Sequence, residues 1–345
     1  AGQRAEVVIA NPAGIQVNGG GFLNASRVTL TTGTPVFNGG VLDGYRVGGG
    51  SIQIEGEGLD TSRADYTDLI TRSLQVNAGV WANQLTAQLG TGTLSAAGAS
   101  ELTAEATAKP SFALDVGALG GMYANKIWLV GNEHGVGVRN AGTLGAQAGE
   151  LVVTVDGRLE NTGALQSLQN VRLNVADDLR NSGTIAASRE VALNAAGTLD
   201  NSGGTINAQR LQVDAAGLRN HGGKLEQTGV QALVVDAGTL TNRADGLVGS
   251  VITPPTPAPG GEDTGGGSDG TAPDPDNTAG TPTPGTGSEG STPGTGTGTP
   301  PTTPVQPLAE GAITIAGLFD NDGGKIVNGG DTRLRVHDGL DNSGG

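Results

Sequence analysis

One short phrase returns through the middle of the chain at nearly constant spacing, and it leaves few folds open. It is read as Asn140-Ala141-Gly142, Asn161-Thr162-Gly163, Asn181-Ser182-Gly183, Asn201-Ser202-Gly203, Asn220-His221-Gly222 and a looser Asn242-Arg243-Ala244. The steps between these Asn residues are 21, 20, 20, 19 and 22 residues. Inside each period the order holds: the Asn turn, a Gly, an apolar pair, a polar break, then an alternating strand, as in GTIAASREVALNAAGTLDN (183–201). A unit of this length cannot bury its own apolar face, so each must stack on its neighbours. The sequence is therefore expected to be all-β, a right-handed parallel β-helix in which every period is one coil of three short strands and three bends. Parallel pairing between coils adds about 4.8 Å of axis per period.

Composition agrees. The chain has 62 Gly and only 3% aromatic residues, which suits a narrow core of repeated aliphatic side chains rather than one of large rings. Leu151, Val153 and Val155 alternate with Val152 and Thr154, and Leu211/Val213 and Leu233/Val235 recur in the same slots. These are expected to point inward and stack. Leu159, Leu179, Leu199, Leu218 and Leu240, each two residues before the Asn, form a second expected ladder. The Asn residues have two readings: amides bonded along the stack at a bend, or a row that contacts a ligand. Stacking favours the first, because it asks for identical placement in every coil.

The same grammar runs less regularly before residue 140, in GFLNASRVTL (21–30), SIQIEG (51–56), GVWANQLTAQL (79–89) and GMYANKIWLV (121–130). Leu59 to Asp68 reads as a polar connection covering one side. Residues 91–113, rich in Ala, Thr and Ser, read as an extra hairpin or loop. Every aromatic residue except Phe319 precedes residue 140, which suggests a thicker, individually packed N-terminal domain. From 250 to 307 the grammar stops amid Pro, Gly, Thr and Ser, a composition that cannot offset the entropy of ordering and reads as a disordered spacer. Coils resume at Ile313, and Asn321 and Asn342 again stand one period apart. Four segments are expected: 1–139, a repeat shaft at 140–249, the spacer at 250–307, and resumed repeats at 308–345.

Charge and motifs exclude several functions. A net charge of −15 opposes nucleic-acid binding, which wants a basic stripe. No apolar run approaches a membrane span. With no Cys there is neither a disulfide nor a thiolate metal site. No cofactor motif is present. Catalysis would need clustered acid and base groups on adjacent coils, as in a polysaccharide-active β-helical enzyme. Glu55, Glu57, Asp60, Arg63, Asp65 and Asp68 form the one dense group, and a solvated loop explains them. His134, His221 and His337 are too far apart for a metal site, and Asp156, Asp214 and Asp236 read as turn residues rather than a calcium row.

The words themselves carry a resemblance. AEVVIANPAGIQVNGGGFLNASRVTLTTGTP (5–35), GLD (58–60), DLITRSLQVNAGVWAN (68–83) and GGMYANKIWLVGNEHGVGVRNAG (120–142) closely resemble the haemagglutination-activity, or two-partner secretion, domain. That domain opens filamentous-haemagglutinin-like exoproteins, which include adhesins and contact-dependent growth-inhibition toxins. The coils at 140–242 and 313–345 resemble the repeats that follow it. The resemblance implies export through an outer-membrane TpsB-type barrel whose periplasmic POTRA domains recognise the chain. It further implies a place on the bacterial surface, facing a receptor on a host or neighbouring cell. The family's secretion-motif turn, Asn-Pro-Asn-Gly, falls on Asn11, Pro12, Ala13 and Gly14, with Ala13 in place of the second Asn. The family's earlier strands and cap have no counterpart here, and Ala1 follows no leader, so the sequence reads as an N-terminally truncated piece of a longer protein.

Overall fold

Alternating aliphatic residues at a period near 20 give strands that pair in parallel with the strand one period later. The computed structural model describes residues 2–95, 98–101, 108–250, 311–328 and 332–344. Among them every regular element is a β-strand, and 26 strands join in one continuous sheet coiled into a parallel solenoid. Each coil has three faces. On the first, eleven pairings join twelve rungs from Ala5–Ala10 to Thr332–Val336.

Columns of aliphatic side chains fill the interior. On the first face Leu30, Leu69, Ala87, Leu129, Val153, Leu173, Leu193, Val213, Val235 and Ile313 lie in one register. On the second, Val138, Leu159, Leu179, Leu199, Leu218, Leu240 and Phe319 do the same. Val80, Met122, Leu144, Leu165, Ile185, Ile206, Leu225 and Val248 form the third column. All are buried in a single cluster.

Glycine in the repeated phrase is a steric requirement of this stacking. A Cβ on Gly163 would lie 2.0 Å from the carbonyl oxygen of Gly142, and one on Gly183 would lie 2.1 Å from that of Gly163. Later turns are one residue longer, and the one at Asn242 two; there Gly204, Gly223 and Gly246 make the close approach, at 2.3, 2.0 and 2.0 Å.

Three features differ from the sequence expectations. Ser51–Thr71 is one strand of 21 residues that runs through all three faces of a coil, so Leu59–Asp68 is wall rather than cover. Thr61 and Thr67 hide the alternation: both are buried, and the Thr67 hydroxyl donates to Thr61 Oγ1 at 2.7 Å. Second, the hairpin expected within 91–113 is present as Gly92–Ser95 with Gly98–Glu101, but it belongs to a separate antiparallel sheet that also takes in Thr34–Asn38 and Val41–Val47. The sheet comes from two insertions, two coils apart, that leave at the same corner and meet through Tyr45–Leu94, Arg46–Thr93 and Val47–Gly92. Tyr45, Val47 and Leu94 cover the outward side chain of Ile70. Third, the aromatic residues do not thicken the core: Phe37, Tyr66 and Trp81 are exposed, and Tyr45 sits under the extra sheet. The spacer expected at 250–307 lies, from residue 251 on, outside the described residues. The solenoid resumes beyond it in register, with Val235 beside Ile313 and Leu240 beside Phe319.

Because each inward Leu has its counterparts directly above and below, a cavity there cannot collapse. Leu199→Ala is expected to lower unfolding free energy by about 2–5 kcal/mol, measured by urea denaturation. A loss below about 1 kcal/mol would be inconsistent with that packing.

Candidate functional site

The turn at Asn11–Gly14 closes on itself between the first two faces of the first described coil. Gly14 N–H donates to the Asn11 carbonyl at 3.0 Å, and Ala13 N–H donates to Asn11 Oδ1 at 3.2 Å. Asn11 Nδ2 in turn donates to the Gly14 carbonyl at 2.8 Å. Pro12 sets the φ needed at its position, and Gly14 has a φ of +124°, which L side chains resist. Ala13 makes its contact with its backbone, so the missing second Asn removes no bond that holds the turn. Asn11, Pro12 and Ala13 are exposed.

The Asn residues of the repeated phrase are buried in one column. Nδ2 of Asn140 donates to Oδ1 of Asn161 at 2.8 Å, and the pattern continues from Asn161 to Asn181 at 2.7 Å and from Asn181 to Asn201 at 2.7 Å. It runs on from Asn201 to Asn220 at 2.9 Å and from Asn220 to Asn242 at 2.8 Å. The second N–H of each amide reaches a carbonyl of the next coil, for example Asn161 to Thr184 at 3.1 Å. Two further members stand one period apart in the resumed repeats. Asn242 donates to Asn321, 79 residues on, and Asn321 to Asn342, both at 2.7 Å. Their signal was present in the 21-residue step between Asn321 and Asn342, but the spacer hides the link to Asn242. At the other end Val116 occupies the slot above Asn140, and Asn140 Oδ1 is buried without a partner.

The acidic group at 55–68 is dispersed. Glu55 accepts from Gln16 Nε2 at 2.9 Å, and Asp65 forms a two-pronged pair with Arg4 at 2.8 and 2.9 Å. Asp60 caps a turn at Ser62, whose hydroxyl and N–H hold its carboxyl below the usual range. Asp68 alone is buried. It takes Arg27 Nε at 2.7 Å and the Thr29 hydroxyl at 3.3 Å, while its Oδ1 has no partner. Burial pushes this carboxyl up, against the pull of Arg27. Arg72 and Glu133 form a second buried pair, two-pronged at 3.1 and 2.9 Å, which sequence spacing did not signal. Among the described residues no three His, Cys, Asp or Glu side chains gather to hold a metal ion. His134 pairs with Asp156 at 3.1 Å, and Asp214 stacks beside Asp236.

The model of the TPS secretion domain matches residues 1–161, and that of the haemagglutinin repeat matches 169–244 and 308–345. The chain belongs to the filamentous-haemagglutinin-like exoproteins of two-partner secretion. It is 52% identical over 176 residues to Toxin CdiA of Yersinia pestis, which covers 50% of this chain and 5% of the relative. It is 47% identical over 165 residues to tRNA nuclease CdiA-2 of Burkholderia pseudomallei (strain 1026b), again covering 5% of that protein. A crystal structure of a filamentous hemagglutinin secretion domain aligns at 30% identity and a TM-score of 0.47, over 57% of this chain and 68% of that one. The chain thus spans a small fraction of the curated relatives it matches. In this exoprotein no helix among the described residues is long and apolar enough to cross a membrane.

Two outcomes follow for the exoprotein's buried polar groups. Asn181→Ala leaves Asn201 Oδ1 without its donor and takes from Asn161 Nδ2 its amide acceptor, at roughly 1–3 kcal/mol per stranded group. Asn140→Ala strands only Asn161 Oδ1 and should cost less; equal losses in urea titrations would contradict the column's polarity. Asp68, with its pKa raised on folding, binds more protons folded than unfolded, so its contribution to stability falls as pH rises from its unfolded pKa through its folded one. Wild type should therefore gain on Asp68→Asn as the buffer is acidified from neutral. A thermal-midpoint difference that stays flat across that range would count against it.

Proposed function

We propose that this chain is the address and the first length of stalk of a secreted surface exoprotein, serving in adhesion or carrying a contact-dependent toxin. Residues 1–139 engage the periplasmic POTRA domains of an outer-membrane TpsB-type transporter, with the turn at Asn11, Pro12, Ala13 and Gly14 on the recognised surface. Residues 140–249 and 308–345 are stalk, joined by the spacer at 250–307. A receptor on a host or neighbouring cell is met further along the parent chain, and any nuclease activity of the kind its relatives are named for also lies outside these residues. The observation that carries the reading is the match of the TPS secretion domain to residues 1–161, followed by haemagglutinin repeats. The dispersal of the acidic group supports it over a polysaccharide-active enzyme, since no acid and base face each other across a groove there.

The physical logic is vectorial. Each coil contacts mainly its neighbours, so stability accrues one coil at a time. Emerging coils that fold outside cannot slide back, and export is driven without nucleotide hydrolysis. Replacing Leu159, Leu179 and Leu199 by Asp places charges in the interior column. Secretion assays with the cognate transporter should then show export reduced while capture by its isolated POTRA domains persists. Undiminished export would sink the folding-driven step, and failure of the wild-type chain to bind the POTRA domains would sink the address.

A further inference from the structure

The outward side of the third face carries an aromatic platform that runs into an uncharged groove. Trp81 and Tyr123 are register neighbours on successive coils, with ring centroids 6.5 Å apart and planes within 19° of parallel. Each ring lies down over the glycine two residues before it. A Cβ on Gly79 would sit 2.3 Å from the Trp81 ring, and one on Gly121 would sit 2.7 Å from the Tyr123 ring. The rings therefore present their flat faces outward rather than their edges, and Trp81 is 43% exposed. Gly79 and Gly121 make room for this posture.

Beyond Tyr123 the same row reads Gly145, Gln166, Ala186 and Asn207 on consecutive coils. It lies in a groove of about 770 Å³ whose lining holds no Asp, Glu, Lys or Arg. That is unusual for a chain of net charge −15. Four amides line this groove: Gln147, Gln166, Asn207 and Gln209. None makes a side-chain hydrogen bond among the described residues. Tyr123, Gln166 and Asn207 recur at every second coil, roughly 10 Å apart, with the notches at Gly145 and Ala186 between them.

We infer that this groove binds an uncharged, extended β-linked oligosaccharide lying along the solenoid axis. Pyranose rings present a flat C–H face that packs on an exposed aromatic face. Planar amides supply paired donors and acceptors for sugar hydroxyls. A chain joined β-1,4, as in both cellulose-type and chitin-type oligomers, turns alternate sugars over, so its repeat is a disaccharide, close in length to two coils. An anionic glycan finds no cation in this lining.

The 345-residue chain would be titrated with cellohexaose and chitohexaose by calorimetry and by Trp fluorescence, with maltohexaose and heparin alongside. Saturable binding of either β-linked chain, absent for the other two, is expected; which of the two binds tells a plain glucan from an acetamido glycan. Tyr123→Ala and Asn207→Ala should each weaken it about tenfold. Asn207 points outward and donates to nothing, so its variant keeps the fold even if the Tyr123 variant does not. The inference is overturned if neither β-linked chain saturates, if heparin or maltohexaose binds as well, or if Asn207→Ala leaves the affinity unchanged.

Discussion

Parallel backbone pairing between successive coils is the constraint on which everything else in this chain rests. It places each residue beside its equivalents about 20 positions away, so a side chain must suit a copy of itself at about 4.8 Å. Aliphatic residues do so by packing, which is why the second-face column is almost all Leu. Asn does so because an amide both donates and accepts, so a column of them closes its own bonds while the spare N–H reaches a bend carbonyl. Glycine answers where even a Cβ does not fit, as at Gly163 against Gly142. The repeated phrase is the written form of these three solutions side by side.

Charged residues follow the same rule only at a cost, since like charges so stacked repel. On the outer side of the second face the sign alternates instead: Asp115, Arg139, Glu160, Arg180, Asp200 and Arg219 stand in successive coils in one register. A second alternation climbs the first face through Glu150, Arg172, Glu190 and Arg210. Pairs this exposed contribute little each to stability. Their larger effect is on register, because a slip of one coil sets like charge against like. Where the alternation lapses, at Asp320 beside Asp341, Arg243 turns in to meet Asp320 and holds its carboxyl below the usual range.

What the sequence makes legible follows from this. Leu159 and its successors, and the alternation around Leu151 and Leu211, report the stack directly because repetition is the signal. What does not repeat is silent. The extra antiparallel sheet joins residues near 45 to residues near 94, and neither insertion carries a period that points to the other. Thr61, Thr67 and Asp68 are wall residues with polar side chains, so the strand through them reads as a loop. The partnership of Arg27 with Asp68, and of Arg72 with Glu133, depends on which coil overlies which corner. That is settled only once the coils are assembled.

The corners explain how the solenoid absorbs so much that is foreign to it. Both insertions of the extra sheet leave between the first and second faces, and of the strands on either side of the residues not described, Leu247–Ser250 lies on the third face and Gly311–Ile315 on the first. At a corner the ladder bonds are already interrupted, so an excursion breaks no rung. The next strand need only return to its slot, and the bond from Asn242 to Asn321 shows that it does. That bond also has a direction. Every Asn donates toward the later coil, so a growing stack always ends in an amide whose N–H lacks its acceptor until the next coil arrives. The unpaired acceptor at Asn140 is incurred once, where the column begins below Val116. Addition in chain order removes each unsatisfied donor as it forms the next, which suits a fibre that must assemble from one end.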